Sequence, residues 1–412
     1  MTDIEQQVTW TDAEGRVRTA LWHSENAAAP PRGITLVDDR TTADAAYRMA
    51  AEGTAMLWRG DYHNARQLLA SMKRRVDRRR RRSVVDPAIA FNQYRQAQAL
   101  RAKVLGSLLV AVDEGAVLSL RRSPDIRAAC AEAGCPLDRP FVCSLAALLG
   151  MMGSHEWRRK GVAVPALGGA RIHPHYGVFS PVRGEYVDLV AQAPIPDVCS
   201  VRPVAFDIGT GTGVLAAVLA RRGVTDVVAT DLNARALTCA HENVERLGLS
   251  GQVRVTQSDL FPARRRAALA VCNPPWLPAK PTSALESAVY DPGSRVLREF
   301  LRRLPGHLVA GGEGWLILSD LAEHLGLRTR DDLLDLFDGA GLEVAGRLDA
   351  RPRHPRAHDP SDPLHAARSR EITSLWRLAA RPYREIQEFF TESRHGKFGE
   401  GTSGGQRVMK GE

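Results

Sequence analysis

Four short apolar runs between Val204 and Cys272 constrain this chain more than any other feature. They are Val204–Ile208, Val227–Thr230, Val253–Thr256 and Ala268–Cys272. Each ends in polar residues or glycine, and helix-period segments lie between the early ones. Apolar runs of about 4–8 residues alternating with helical patterns indicate buried parallel strands joined by crossover helices. Ligands of such sheets bind beyond the carboxyl ends of the strands. Those ends carry Asp207, Asp231, Asp259 and Asn273, so polar groups fall where a ligand should sit.

Gly209, Gly211 and Gly213 form a turn between the first strand and its helix. Glycine allows positive φ and lets a ligand approach the backbone. Asp231 ends the second strand, where a carboxylate can accept hydrogen bonds from two ribose hydroxyls. A dinucleotide site would use the same parts. The fourth strand separates the readings, because it runs directly into Asn273-Pro274-Pro275-Trp276. Two prolines fix φ and remove two backbone donors, which leaves a stiff loop rich in acceptors. The Asn273 side-chain oxygen and the Pro274 carbonyl can hold a planar NH2 group by both hydrogens. Trp276 offers a flat face for stacking an amide or a base. The loop therefore suits a neutral, planar nitrogen nucleophile that meets an electrophilic methyl group.

These residues resemble the class I S-adenosylmethionine-dependent methyltransferases that carry an Asn-Pro-Pro-aromatic signature. Phe206–Gly213 (FDIGTGTG) is similar to their methionine-side glycine motif. The resemblance implies a donor site built from Asp207, Gly209, Thr210, Gly211, Gly213, Asp231, Leu232, Ser258, Asp259, Leu260 and Asn273. It also implies a catalytic loop of Asn273, Pro274, Pro275 and Trp276. Tryptophan departs from the usual tyrosine or phenylalanine but keeps a stacking face. NPPWLP followed by LESAVYDPGSR resembles the protein-glutamine methyltransferases that modify peptide release factors. Gly177–Pro181 (GVFSP) resembles the small-domain ribosomal RNA guanine methyltransferases. In such families the segment upstream of the core covers the donor and borders the acceptor. Phe179 would then pack on donor or target, and Arg183 would meet the methionine carboxylate.

The fold implied is α/β: a Rossmann-like, seven-stranded class I methyltransferase domain over residues 166–380, preceded by a mainly helical substrate-recognition domain over 1–165. Trp315–Ser319, Leu342–Leu348 and Ile372–Leu378 are the remaining strands, the last two expected as an antiparallel hairpin. Leu277–Pro292 is a candidate wall of the acceptor pocket. Residues 381–412 are polar and glycine-rich and read as a disordered tail. In the first part, Val8–Trp10 and Val17–Trp22 flank a turn and predict a hairpin. Helical patterns follow from Thr42 to Leu57, from Ala65 to Arg78 and over 87–112. Leu118–Leu120 reads as a short strand. Ile126–Ala133 and a segment from Leu145 to Trp157 read as helices.

Composition narrows the partners. The chain has 412 residues and a formal net charge of +9, an overall field that favours polyanions or an acidic protein. Lys73–Arg82 holds eight basic residues among ten and could contact RNA phosphates. It contains no aromatic residue, so it would supply affinity and not base readout. No apolar run approaches the ~18 residues of a membrane helix, and the polar N-terminus is unlike a secretory signal. A cytoplasmic protein is expected. The six cysteines match no zinc spacing and read as reduced, buried thiols. His173 and His175, and the histidines and aspartates between His354 and His365, read as packing or loop residues with no metal. The function expected is methyl transfer to a planar NH2 nitrogen of a macromolecule, either a protein glutamine or an RNA exocyclic amine. A small metabolite as acceptor, or a non-catalytic RNA-binding role for the same fold, are the alternatives.

Overall fold

A computed structural model of the protein describes residues 6–25, 28–78, 86–281, 285–353 and 358–381. All but the first residue of the expected tail, the end of the basic run (79–82) and His354 lie outside the described residues. Residues Met1–Ala380 form one compact unit that holds two large sheets.

The first sheet takes the order β1-β2-β6-β5-β4-β3. Its strands are β1 (Gln7–Thr11), β2 (Val17–Trp22), β3 (Ile34–Val37), β4 (Ala55–Trp58), β5 (Leu108–Val112) and β6 (Phe141–Ser144). The hairpin expected from the sequence is present as β1–β2, with Gly15 at φ +79° in its turn. Five helices lie between the strands: α1 (Ala43–Ala51), α2 (Tyr62–Asp77), α3 (Pro87–Gly106), α4 (Arg127–Ala133) and α5 (Leu145–Lys160). Polar caps start most of them. The side chains of Thr42, Asp61, Asp86 and Ser144 each accept from a backbone N–H of the first turn.

Helices do supply more residues than strands here, but they pack on a sheet that the sequence pattern did not announce. β4 is buried at every position and follows α1 after a Gly53 at φ +88°, so its apolar run reads as a continuation of the helix. β5 is likewise the end of the pattern assigned to the helix over 87–112; the helix stops at Gly106. Leu118–Leu120 is not a strand: isolated bridges form on either side of it, Asp113 to Val117 and Asp61 to Arg121.

A two-stranded ribbon, β7 (Val162–Ala163) with β8 (Arg171–Ile172), and helix α6 (Glu185–Gln192) lead into the second sheet. Its elements are β9 (Val204–Ile208), α7 (Val214–Arg221), β10 (Asp226–Asp231), α8 (Ala234–Arg246), β11 (Val253–Gln257) and β12 (Ala267–Cys272). They continue with α9 (Arg295–His307), β13 (Leu308–Ser319), α10 (Leu321–His324), α11 (Arg330–Gly339), β14 (Leu342–Ala350), α12 (His365–Arg368) and β15 (Thr373–Ala380). The strand order is β11-β10-β9-β12-β13-β15-β14, and β15 alone runs antiparallel to its neighbours. The four anchoring strands and the final hairpin thus stand where the apolar runs placed them.

Alternation along β9 explains why both faces are covered. Ala205 packs in a core with α6 and α7, whereas Phe206 and Ile208 pack with α9 and α11. The chain turns from β9 through β10 and β11 to one side, then resumes at β12 on the other. A crevice therefore forms between the carboxyl ends of β9 and β12, the switch point at which open α/β sheets bind ligands.

Candidate active site

The register of β9 and β12 sets the geometry of the site. Ile208 lies opposite Cys272, so Gly209 and Asn273 leave adjacent strands at the same level. Adjacent strands are about 4.8 Å apart. The glycine turn and the Asn-Pro-Pro-Trp loop therefore flank one crevice.

Three side chains shape the glycine turn. Asp207 is fully buried, and its Oδ2 accepts from the Thr210 hydroxyl at 2.6 Å and the Ala216 N–H at 2.9 Å. Burial pushes its carboxyl up to about 6, against the lowering effect of those two hydrogen bonds. Asp231 stands at the end of β10, where its Oδ2 accepts from the Gly211 N–H at 3.1 Å and its Oδ1 from the Asn233 N–H at 2.9 Å. Asn243, wholly buried on α8, donates to the Thr212 carbonyl and accepts from the His173 N–H, tying the turn to the upstream segment. Gly213 is required on steric grounds: at φ +79° a Cβ would come within 3.2 Å of the Ala240 Cα. Gly209 and Gly211 also have positive φ, but a Cβ on either would enter open space. Bare backbone beside open space, next to a carboxylate with unused lone pairs, fits the donor implied by the sequence. Gly209 and Gly211 would contact it through their backbone, and Asp231 would take its ribose hydroxyls.

The remaining donor-site candidates are not gathered at this crevice in one layer. Thr210 points inward, towards Asp207 and not into the open space. The Ser258 hydroxyl donates to the Phe261 carbonyl at 2.7 Å, and Leu260 adopts φ +64°. Asp259 and Leu232 are exposed at the edge. Asp207 and Thr210 thus act on the turn, and Asp231 is the acid that faces outward from it.

On the other flank lies a cavity of about 1640 Å³, shared between the two sheets. Asn273, Pro274 and Trp276 line it, as do Phe179 and Arg183; Pro275 does not. The indole N–H of Trp276 donates to Asn273 Oδ1 at 2.9 Å. The Arg183 guanidinium lies over the Trp276 ring, 5.6 Å from its centroid, and donates to Glu371 Oε1 at 3.2 Å. The sequence assigned Arg183 to a donor carboxylate; in the structure it meets a buried carboxylate of the chain itself.

The loop after Trp276 forms a wall of the cavity, as expected, through Leu277, Glu286, Ala288, Val289 and Tyr290. Its base is closed by backbone bonds from Leu277 to Val289 and from Asp291 to Leu277. Arg95 of α3 braces it: the guanidinium donates to Glu286 at 3.1 Å and to the Lys280 carbonyl at 2.6 Å, and lies 4.0 Å from the Tyr290 centroid. A second brace runs through the upstream segment. Tyr176 donates to Glu25 at 2.5 Å, and His175 contacts Glu242 at 3.0 Å, which Arg158 also holds. Burial lowers the His175 basicity despite that carboxylate. His173 rests on the Arg158 carbonyl, so both histidines have protein partners.

Sequence reasoning missed Asn243, Arg95 and Glu371. Each is a single polar residue within an ordinary helix or loop pattern, and only its long-range partner marks it. All six cysteines are free and buried. Burial pushes the Cys272 thiol, next to Asn273, far above its ordinary range, which makes it a packing group. No helix of the described residues is long and apolar enough to cross a membrane.

Residues 169–326 match the family described as methyltransferase small domain. The chain is 34% identical to the release factor glutamine methyltransferase of Cereibacter sphaeroides over 165 residues, covering 35% of this chain and 59% of that one. It is 35% identical over 146 residues to the protein of the same name from Rhodopirellula baltica, covering 34% and 44%. The chain thus spans about half the length of these curated relatives. Among solved structures, a putative RNA methyltransferase of Pyrococcus horikoshii is 17% identical with a TM-score of 0.37, covering 55% of this chain and all of that one.

Proposed function

We propose that the methyltransferase small domain of this chain transfers a methyl group from S-adenosylmethionine to the side-chain nitrogen of a protein glutamine. One observation carries the reading: the β9–β12 register sets Asn273 level with Gly209 across the switch-point crevice. Bound there, the donor supplies an electrophilic methyl group. The work left to the chain is alignment. Asn273 Oδ1 and the Pro274 carbonyl accept the two hydrogens of the acceptor NH2, which turns its lone pair towards the donor side of the crevice. No strong base is required before attack, because the nitrogen loses its proton after it becomes cationic. Asp207 and Asn243 keep the glycine turn in shape, and Asp231 holds the ribose.

The cavity favours a macromolecule over a metabolite. At about 1640 Å³ it exceeds the roughly 300–1,000 Å³ that serves small ligands. Residues 1–165 build much of it and are the part that selects the substrate. The two named relatives, both release factor glutamine methyltransferases, support glutamine as the acceptor. A second reading, an RNA amine, has one observation in its favour: Arg74 and Arg75 on the last turn of α2, and Lys73 just before them, are exposed. A protein or RNA acceptor of the translation machinery would place the enzyme in the cytoplasm.

Incubation with methyl-labelled donor and a fractionated lysate tests the assignment. Label should enter protein, and acid hydrolysis should release it as methylamine, as cleavage of an N-methylated amide requires. Asn273→Ala should abolish labelling and leave donor affinity by calorimetry within about twofold, since it removes one acceptor of the substrate NH2. Label in nucleic acid would favour the RNA reading. Undiminished turnover in Asn273→Ala would remove the loop from the chemistry.

A further inference from the structure

The Asn-Pro-Pro-Trp loop ends in an aromatic residue that can do something phenylalanine cannot. The Trp276 indole N–H donates to Asn273 Oδ1 at 2.9 Å. An indole N–H is a donor only, whereas a carboxamide presents an acceptor at one end and two donors at the other. The contact is therefore satisfied by one of the two flip states of Asn273, the one with oxygen towards the indole. That oxygen keeps a second lone pair. The Asn side-chain torsion is otherwise broad and roughly twofold. A flipped amide would set its own NH2 against an incoming NH2, donor against donor.

The indole is itself held from behind. Arg183 lies over its ring, and the Arg183 guanidinium donates to Glu371 Oε1 at 3.2 Å. Glu371 is 2% exposed and also accepts from the Ser319 hydroxyl at 2.7 Å. Its position at the mouth of β15 is pinned by reciprocal bonds between Asp320 and Ile372: each backbone N–H is taken up by the other residue's side chain or carbonyl. Arg183 and Glu371 lie 188 residues apart in the chain, and the pair closes over the loop.

We propose that Trp276 is a positioning residue that fixes the flip state of the Asn273 carboxamide, and that Glu371, acting through Arg183, holds Trp276 in place. The acceptor that grips the substrate nitrogen is thereby set before substrate arrives. The proposal rests on the assignment of NH2 methylation, but the lock itself is made within the chain.

The test compares wild type with Trp276→Phe, Glu371→Gln and the double variant, using a defined pool of glutamine-centred hexapeptides and methyl-labelled donor. Trp276→Phe keeps a ring face and loses the N–H. It should lower kcat/KM about tenfold, the worth of one hydrogen bond, with donor affinity by calorimetry unchanged. Glu371→Gln should lower it by several-fold. Because both act on one link, the double variant should be no more than about twofold worse than Trp276→Phe alone. Effects that multiply would overturn the chain of action. A rise in turnover on Trp276→Phe would also overturn it, since the indole would then be blocking the acceptor and not setting it. A second arm needs no turnover. The Trp276 indole proton, assigned by its loss in Trp276→Phe, should exchange with solvent faster in Asn273→Ala and in Glu371→Gln than in wild type. Equal rates in all three proteins would refute the lock even if no peptide in the pool were methylated, a result that by itself would count only against the acceptor assignment.

Discussion

Replacing Asp207 by asparagine should change stability in a way that depends on pH, and the size follows from the burial of one carboxyl. Asp207 is fully buried, and loss of hydration raises its folded-state value from 3.8 to about 6. In the unfolded chain it returns to the ordinary value. Between these values the native state holds more protons than the unfolded state, so stability falls as pH rises through the window and levels off above it. The full difference, about two units, is worth roughly 3 kcal/mol. Between pH 4.5 and 7.5 the share lost is about 2 kcal/mol. Asparagine cannot ionise and shows none of this. It has nearly the same shape, and a single amide oxygen can take both bonds that Oδ2 now accepts from Thr210 and Ala216. The NH2 it introduces carries a fixed cost or gain, equal at both pH values. The quantity to measure is therefore the stability of Asp207→Asn relative to wild type, by urea unfolding at pH 4.5 and at 7.5. It should move in favour of asparagine by about 2 kcal/mol, a relative midpoint shift on the order of 0.5 M for a protein of this size. A difference that does not change with pH would refute the account, and would mean that Asp207 is hydrated or otherwise compensated in the native state.

Two further substitutions probe the same framework. Gly213→Ala puts a Cβ within 3.2 Å of the Ala240 Cα at φ +79° and should cost about 2–3 kcal/mol. Gly248→Ala, also at positive φ but facing open space, should cost only about 1 kcal/mol; equal urea midpoints would show that α8 yields freely. Arg95→Ala removes the brace on the loop after Trp276 and should raise the KM for a glutamine peptide about tenfold, a loss typical of one charged hydrogen bond. Donor affinity by calorimetry should not move, because Arg95 touches only the acceptor side; weaker donor binding would show that the two flanks are coupled.

The second half of the chain was legible because its signals are local. A buried parallel strand is an apolar run of its own, a glycine turn marks its end, and the proline pair stiffens the next loop within four residues. β9 is found at Val204–Ile208 and β12 within one residue of Ala268–Cys272. The first half was less legible for the same reason turned round. β4 and β5 are short, wholly or almost wholly buried, and each follows a helix directly. An apolar run of four or five residues after a helix fits one more helical turn as well as it fits a strand. What settles the matter is pairing with neighbours far away in the chain, as when Leu109 of β5 meets Leu57 of β4 and Ser144 of β6. Pairing partners of that kind leave no trace in local periodicity.

The same limit explains which candidate residues could be picked out from sequence. Asn273, Gly209 and Asp231 sit at or just past the carboxyl ends of strands, and the parallel strands bring those ends to one edge. Their proximity follows from topology once the strands are known. Arg95, Asn243 and Glu371 act from other elements, and nothing in their own neighbourhoods distinguishes them from solvent-facing polar residues of a helix or loop. Yet they decide how firmly the loop and the turn are held. Arg95 reaches from the first sheet's helices to the acceptor wall, Asn243 links the glycine turn to the segment beneath it, and Glu371 restrains the Arg183 that covers Trp276. Strand topology thus supplies the candidate groups at the crevice, while their orientation is held by buried polar pairs between segments distant in sequence. A chain that kept the glycine turn and the Asn-Pro-Pro-Trp loop but lost those pairs would still carry the motif, with its acceptor free to turn the wrong way.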